Sequence, residues 1–278
     1  MRLAIALMMS GLISTLQGLE GPGRVKAISA VSDTTDAAVR ELLSMANWRG
    51  RDAVVTSLER ADPPRVALML EVAKTHPKLA TRRSAIRSLG RVGPEGVCDT
   101  LRAMFGRGSD SVILDVMTDR QDCSAAFVSP FLWDSDPDVR RRAFAASAKM
   151  DRNVAIGVAG KALGDSHHGV RSVVSSFLVG EGNAALPVLE LALKDTSSVR
   201  RLAALRVLGQ FDEGRSLLEG AVRSADWQNR FIATEGLAEI GDESSIAILT
   251  IRVEVETHPR VVEALTHALV RGGKDQDE

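Results

Sequence analysis

The chain has 278 residues, 45% of them hydrophobic and 26% charged, with 35 basic residues against 36 acidic ones and a formal net charge of −1. That balance excludes a disordered chain and leaves no global field to draw the protein onto nucleic acid or anionic lipid. Aromatic residues make up only 4%, with no Tyr, and runs of β-branched and aromatic residues are scarce, so the sequence predicts an all-helical (all-α) protein.

The N-terminus places Arg2 ahead of an apolar run from Leu3 to Leu16 and then turns polar. This is the layout of a secretory signal peptide, with "GPG" at 21–23 or "AIS" at 27–29 as the better cleavage sites. It assigns residues 1–29 to a leader and linker, and the mature protein to the periplasm or the exterior. The competing reading makes Leu3 to Leu16 a terminal helix that caps a helical array in a cytoplasmic protein. The run is short for a membrane span, and nothing after it is expected to reach spanning length. Residues 36 to 48 read as an N-terminal capping helix. Cys98 and Cys123 leave two readings open: one disulfide in an exported chain, or two buried thiols. With no His beside them they are not expected to form a zinc site.

From position 82 onward one pattern recurs, an Arg with a small apolar residue three places on and apolar residues near seven and ten. Arg82 leads "RRSAIRSLGRVG", Arg140 leads "RRRAFAASAKM", Arg171 has Val174 and Leu178, Arg200 has Ala203 and Val207, and Arg230 has Ala233 and Leu237. Arg260, with Leu265 and Val270, is the loosest. These arginines lie 58, 31, 29, 30 and 30 residues apart, and a degenerate unit, "SDSVILDVMTDR", fills the double gap. A period near thirty with two helical patterns per unit is the mark of an α-solenoid. In the clearest unit, "SSVRRLAALRVLGQF" is a first helix with Ser197 or Ser198 to cap it. "NAALPVLELALKD" before it is the second helix of the preceding unit. Gly93, Gly182 and Gly241 fall where first helices must stop, and Pro94 and Pro187 where second helices start.

The stretches "DSDPDVRRRAFAAS", "DSHHGVRSVVSSFLVGEGNAALPVLELALKD", "DTSSVRRLAALRVLGQF" and "WQNRFIATEGLAEIGDESSIAIL" resemble the HEAT repeat, especially its short form in phycobilisome (PBS) lyases. The resemblance covers residues 50 to 272 and is strongest from 134 to 250. It implies a right-handed superhelix of about seven to eight antiparallel helix pairs over residues 30–272, with a disordered tail at 273–278. It also implies a structural ladder in which each Arg bonds an Asp or a carbonyl in a turn of its own or the neighbouring unit. Asp134 and Asp165 lie six residues before Arg140 and Arg171, Asp195 five before Arg200, and Asp226 four before Arg230. The expected ladder is therefore Arg82, Arg140, Arg171, Arg200, Arg230 and Arg260 with these four aspartates.

Catalytic, cofactor-binding and metal-binding residues are not expected. The histidines, His76, His167, His168, His258 and His267, form no His-Glu dipeptide and no i, i+4 pair, and no G-x-S-x-G, Walker, H-E-x-x-H or dinucleotide motif is present. The remaining arginines, among them Arg83, Arg87, Arg91, Arg141, Arg142, Arg201 and Arg206, read as solvated helix faces meeting nearby Asp and Glu. No aromatic residues interleave with them as a nucleic-acid surface would require. Phe105, Phe127, Phe131 and Trp133 read as core. The expectation is an exported, non-catalytic scaffold that holds a protein or peptide on a concave face lined by second helices. The alternative is a cytoplasmic lyase-like or nucleic-acid-acting repeat enzyme or accessory subunit.

Overall fold

Short polar side chains that accept backbone N–H groups start many of the helices. Thr35, Asn47, Asp136, Asp151, Asp226 and Asp242 each take an N–H of the first turn that follows, relieving donors that an isolated helix leaves unsatisfied. The computed structural model describes residues 31, 34–120 and 122–274, and every regular element within them is an α- or 3-10 helix. The expected leader, residues 1–29, and residues 275–278 of the expected tail lie outside the described residues.

The chain divides into two compact units, up to Phe127 and from Val128 onward. The first contains α1 (Asp36–Met45), α2 (Trp48–Arg60), α3 (Val66–Thr75), α4 (Leu79–Val92), α5 (Val97–Arg102) and α6 (Asp110–Asp119). A single turn, α7 (Ala125–Val128), falls at the boundary. The second unit opens with a 3-10 segment, Ser129–Trp133, and continues through α8 (Pro137–Met150), α9 (Arg152–Ala162), α10 (His168–Glu181) and α11 (Leu186–Leu193). It closes with α12 (Ser198–Leu208), α13 (Arg215–Ala221), α14 (Trp227–Ile240), α15 (Glu243–Val253) and α16 (Pro259–Lys274).

Each unit is a stack of antiparallel helix pairs. In the first, α2/α3 and α4/α5 are followed by α6, and in the second α8/α9, α10/α11, α12/α13 and α14/α15 are followed by α16. First helices pack on first helices: α2 on α4 and α4 on α6 in one unit, and α8, α10, α12, α14 and α16 in succession in the other. The chain is thus the all-α solenoid its repeats imply. α1 packs on α2. α16 runs to Lys274, so residues 273 and 274 continue the last helix instead of beginning the tail.

The core follows one rule through every first helix. Two residues four apart are fully buried: Val54 and Leu58, Ala85 and Leu89, Ile113 and Met117, Ala143 and Ser147, Val174 and Leu178, Ala204 and Leu208, Ala233 and Leu237, Val261 and Leu265, all at 0% exposure. Residues four apart share one helix face, so each first helix presents the same strip to its neighbours.

One stretch departs from the expectation that nothing after the leader reaches spanning length. His168–Leu193 is long and apolar enough by length and composition alone. It comprises α10 and α11, interrupted by a 3-10 turn at Gly182–Ala185 whose glycine has φ of 53°. A left-handed backbone at that point is open to Gly at little cost, and the apolar run becomes one helix pair of the repeat.

Candidate functional site

The arginine ladder exists, and its register is set by the buried strip. Three residues before each fully buried pair stand Arg51, Arg82, Asp110, Arg140, Arg171, Arg201, Arg230 and His258. Arg140 Nη1 donates to the carbonyls of Asp134 and Ser135 (2.8 and 3.1 Å), and its Nε and Nη2 grip both oxygens of Asp165 in the next unit (2.7 and 2.8 Å). Arg171 Nη1 donates to the carbonyls of Asp165 and Ser166, Arg201 Nη1 to those of Asp195 and Thr196, and Arg230 Nη1 to those of Ser224 and Ala225. Arg82 does the same with His76 and Pro77 and reaches the Arg107 carbonyl. In all five the accepting carbonyls lie six and five residues back. One guanidinium fork thereby satisfies turn carbonyls and, where a carboxylate is present, ties one repeat to the next.

The residue six places back has a second task. Oδ1 of Asp134, Asp165 and Asp195 accepts the N–H two residues on, as do Nδ1 of His76 and Oγ of Ser224. Such Asx-type turns set the chain for the helix that follows. Burial pushes the Asp165 carboxyl up, but Arg140 and the His167 N–H outweigh it and hold it below the usual carboxylate range. Arg230 Nε and Nη2 bond both oxygens of Glu256 (2.8 and 2.9 Å), whose side chain is fully buried. Arg230 is the main cause holding Glu256 far below its ordinary range, against burial and with help from Arg252 and the N–H groups of His258 and Thr257.

Arg200 makes the expected bond to Asp195, an ion pair with its carboxylate, and packs over Gly164, where a Cβ would come within 2.9 Å of Arg200 Nε. The residue of that unit that takes the turn carbonyls is its neighbour Arg201, because Asp195 stands six residues before Arg201 and Ala204, not Ala203, is fully buried. One expected rung is corrected. Arg260 makes no carbonyl contact among the described residues. The rung position at the start of α16 belongs to His258, the residue just before it, which stacks on Trp227 (4.3 Å, 6°), and Arg260 lies over the same indole at 5.7 Å. Asp226 serves the preceding unit, accepting Arg201 Nη2 at 3.2 Å. Arg51, Arg201, Ser224 and Glu256 were absent from the expected set. Arg51 was legible, since it stands 31 residues before Arg82 with Val54 and Leu58 in register.

Cys98 and Cys123 form a disulfide with Cα atoms 5.7 Å apart, joining α5 to the turn after α6. Beside it Arg120 pairs with both oxygens of Asp122 and donates to the carbonyls of Leu89, Gly90, Gly93 and Pro94, closing the C-terminal end of α4. The donor atoms of Cys98, Asp122 and Cys123 lie within 4.8 Å of one another. The two sulfurs are bonded to each other and Asp122 is bonded to Arg120, so this trio is engaged within the fold. Four of the extra arginines are likewise engaged: Arg83 with the Gly108 carbonyl, Arg91 with Glu59, and Arg141 and Arg142 with Asp138. Among the histidines, His76 and His167 accept turn N–H groups, and burial pushes His76 below the usual imidazole range, matching an Nδ1 that accepts.

A different surface carries exposed apolar side chains. In the second helices of the second unit, Ala159, Leu189, Leu218 and Leu249 are fully buried anchors. Two residues beyond them, facing solvent, stand Lys161, Leu191, Gly220 and Ile251. Leu191 and Ile251 are each 70% exposed, and Trp133, expected in the core, is 45% exposed with the Lys161 ammonium 4.0 Å from its ring centre. A depression of about 400 Å³ opens between α11 and α13, lined by Leu193, Lys194, Leu217 and Gly220 among others.

The sequence matches the model of HEAT repeats over residues 27–118 and 185–270, more than half of its length. The chain belongs to the HEAT repeat family. No curated protein matches it. Among solved structures this HEAT chain is similar to Kap95p, solved with RanGDP, at 12% identity and a TM-score of 0.54, over 95% of this chain and 45% of that one. It is also similar to YibA of E. coli (16% identity, 92% and 99% covered, TM-score 0.45) and to the CpcE–CpcF complex of phycocyanin lyase from Nostoc sp. PCC7120 (15% identity, 89% and 94% covered, TM-score 0.33). At these identities the likeness is one of fold.

Proposed function

We propose that this HEAT protein is an exported, non-catalytic scaffold that holds a protein partner on the second helices of its second unit. The observation that carries the reading is the equivalent placement of Leu191 and Ile251 on α11 and α15, both 70% exposed, with Trp133 of the 3-10 segment, 45% exposed, against Lys161, which holds the same position on α9. Exposed Leu and Ile side chains in one series, with the exposed Trp133 beside Lys161 of that series, supply the desolvatable anchors of a protein interface, and the bare Gly220 between Leu191 and Ile251 leaves room for a partner's side chain. The ladder supports the same reading, because the chain's polar chemistry is directed into holding repeats together. Kap95p, of like fold, was solved with a protein bound. Export rests on the N-terminal layout of Arg2 and Leu3 to Leu16.

The test is site-specific photocrosslinking in the native host, with the probe at position 191 or 251 and, as control, at Glu213, which is exposed at the 3-10 turn before α13. A discrete crosslinked species from 191 and from 251 is the expected outcome, with the crosslink from 191 lost in Ile251→Asp and that from 251 lost in Leu191→Asp at unchanged melting temperature. Crosslinks no stronger than those of the control would overturn the assignment of this face. Intact mass of the purified native chain tests export, with a shortening of about twenty to thirty residues expected.

A further inference from the structure

The first helices of the second unit carry a second surface, separate from the face proposed above. Between α14 and α16 lies a cleft of about 880 Å³. Its walls are two helical stripes, Phe231, Glu235, Ala238 and Glu239 from α14, and Arg260, Glu263, Ala264, His267, Ala268 and Arg271 from α16. The spacings of three and four are those of side chains that share one face of a helix. Down the middle run small apolar residues, Ala238, Ala264 and Ala268, with Phe231 beside them. Above this floor the walls differ in charge: two carboxylates on α14 face a wall of α16 that carries Arg260, His267 and Arg271 around Glu263. None of these charged side chains has an ion-pair partner among the described residues, whereas the arginines of the ladder make two to four hydrogen bonds each.

We infer that this cleft receives an amphipathic helix from a protein partner, with a basic edge against α14 and an acidic edge against α16. Small residues on two neighbouring helices leave holes that the apolar knobs of a third helix can fill, and flanking charges of opposite sign set its orientation. The lining of α16 from Arg260 to Arg271 extends about 16 Å, or three turns, which fixes the length of helix it can hold. Glu235 and Glu239 also rim the neighbouring groove between α12 and α14, opposite Arg206, so the acidic crest is presented on both sides.

The experiment uses the full chain and three synthetic helical peptides about fourteen residues long, sharing one Leu/Ala stripe. The first has one Lys edge and one Glu edge, the second Lys on both edges, the third Glu on both. Fluorescence anisotropy at low salt should show the first peptide bound about tenfold more tightly than either of the others. In E235K/E239K, where both walls become basic, the order should change so that the peptide with two Glu edges binds best. Because this variant gains a ligand as it loses one, misfolding cannot mimic the outcome. Equal binding of the three peptides, no binding of the first, or an order unmoved by the variant would overturn the inference. So would a dimer in sedimentation equilibrium that dissociates in E235K/E239K, since the occupant would then be a second copy of the chain. Crosslinks at 191 and 251 are unaffected by any of these results, so this inference and the proposed function fail separately.

Discussion

At Arg82, Arg140, Arg171, Arg201 and Arg230 the ladder asks one guanidinium to satisfy two turn carbonyls, and at Arg140, Arg201 and Arg230 a carboxylate of the next repeat as well. Removing Arg201 leaves the Asp195 and Thr196 carbonyls and part of Asp226 without donors, a loss of about 2 kcal/mol for a residue this enclosed. Arg200 offers less: its pair with Asp195 is partly exposed, and its Nε is buried without an acceptor. Urea unfolding should therefore show Arg201→Ala more destabilising than Arg200→Ala, which should cost about 1 kcal/mol or less. Equal losses would sink the register given above. The sequence contained the signal for that register. Asp134 and Asp165 stand six residues before Arg140 and Arg171, and six residues after Asp195 is Arg201. The doublet Arg200-Arg201, with apolar residues at 203, 204, 207 and 208, fits a strip in either register, and only burial separates them. Arg260 misled for a related reason: the rung position just before α16 holds a histidine, and an arginine happens to follow two residues later.

At the scale of the element, the first helices are set by how closely their backbones approach. Where α12 meets α14, a Cβ on Gly209 would lie 2.6 Å from Gly236 Cα, a contact with backbone that no rotamer change can relieve. Gly209→Ala should destabilise the protein by about 2 kcal/mol, since the helices must separate to admit one methyl. Gly157, within α9, has open space for 4 Å around the point where a Cβ would stand, so Gly157→Ala should instead stabilise by about 0.5 to 1 kcal/mol through helix propensity. Thermal melts of the two variants should move in opposite directions, and a fall in both would remove close packing as the explanation. First helices were legible because their apolar residues recur at three and four. Second helices were less so. α11 reads LPVLELAL, apolar on nearly every side; the helical spacing of Leu186, Leu189 and Leu193 points to the inward Leu189, but an apolar Leu191 off that stripe gives no sign that it faces solvent. The same ambiguity placed Trp133 in the core, since a 3-10 segment of five residues, Ser129–Trp133, is too short to show a stripe.

In a repeat protein, stability is close to a sum of units and nearest-neighbour interfaces, so a local change is felt locally. The disulfide gives a direct measure of that locality. Cys98 and Cys123 are 25 residues apart, and closing a loop of that length stabilises by about 3 kcal/mol through the entropy it removes from the unfolded chain. Both residues are nearly inaccessible, at 1% and 6% exposure, which makes the Cys98→Ser/Cys123→Ser variant a cleaner probe than a reductant. The sequence left the pairing open because α6 and its turns bring these residues together only in three dimensions. Hydrogen exchange should quicken in residues 97–123 of the variant and stay unchanged across α10 to α15, which are built from a separate set of rungs and interfaces. Faster exchange throughout would mean that the two units unfold as one cooperative body. Exchange unchanged even in 97–123 would mean that Arg120, bonded to four carbonyls and Asp122 beside the disulfide, holds the end of α4 without help from the covalent link.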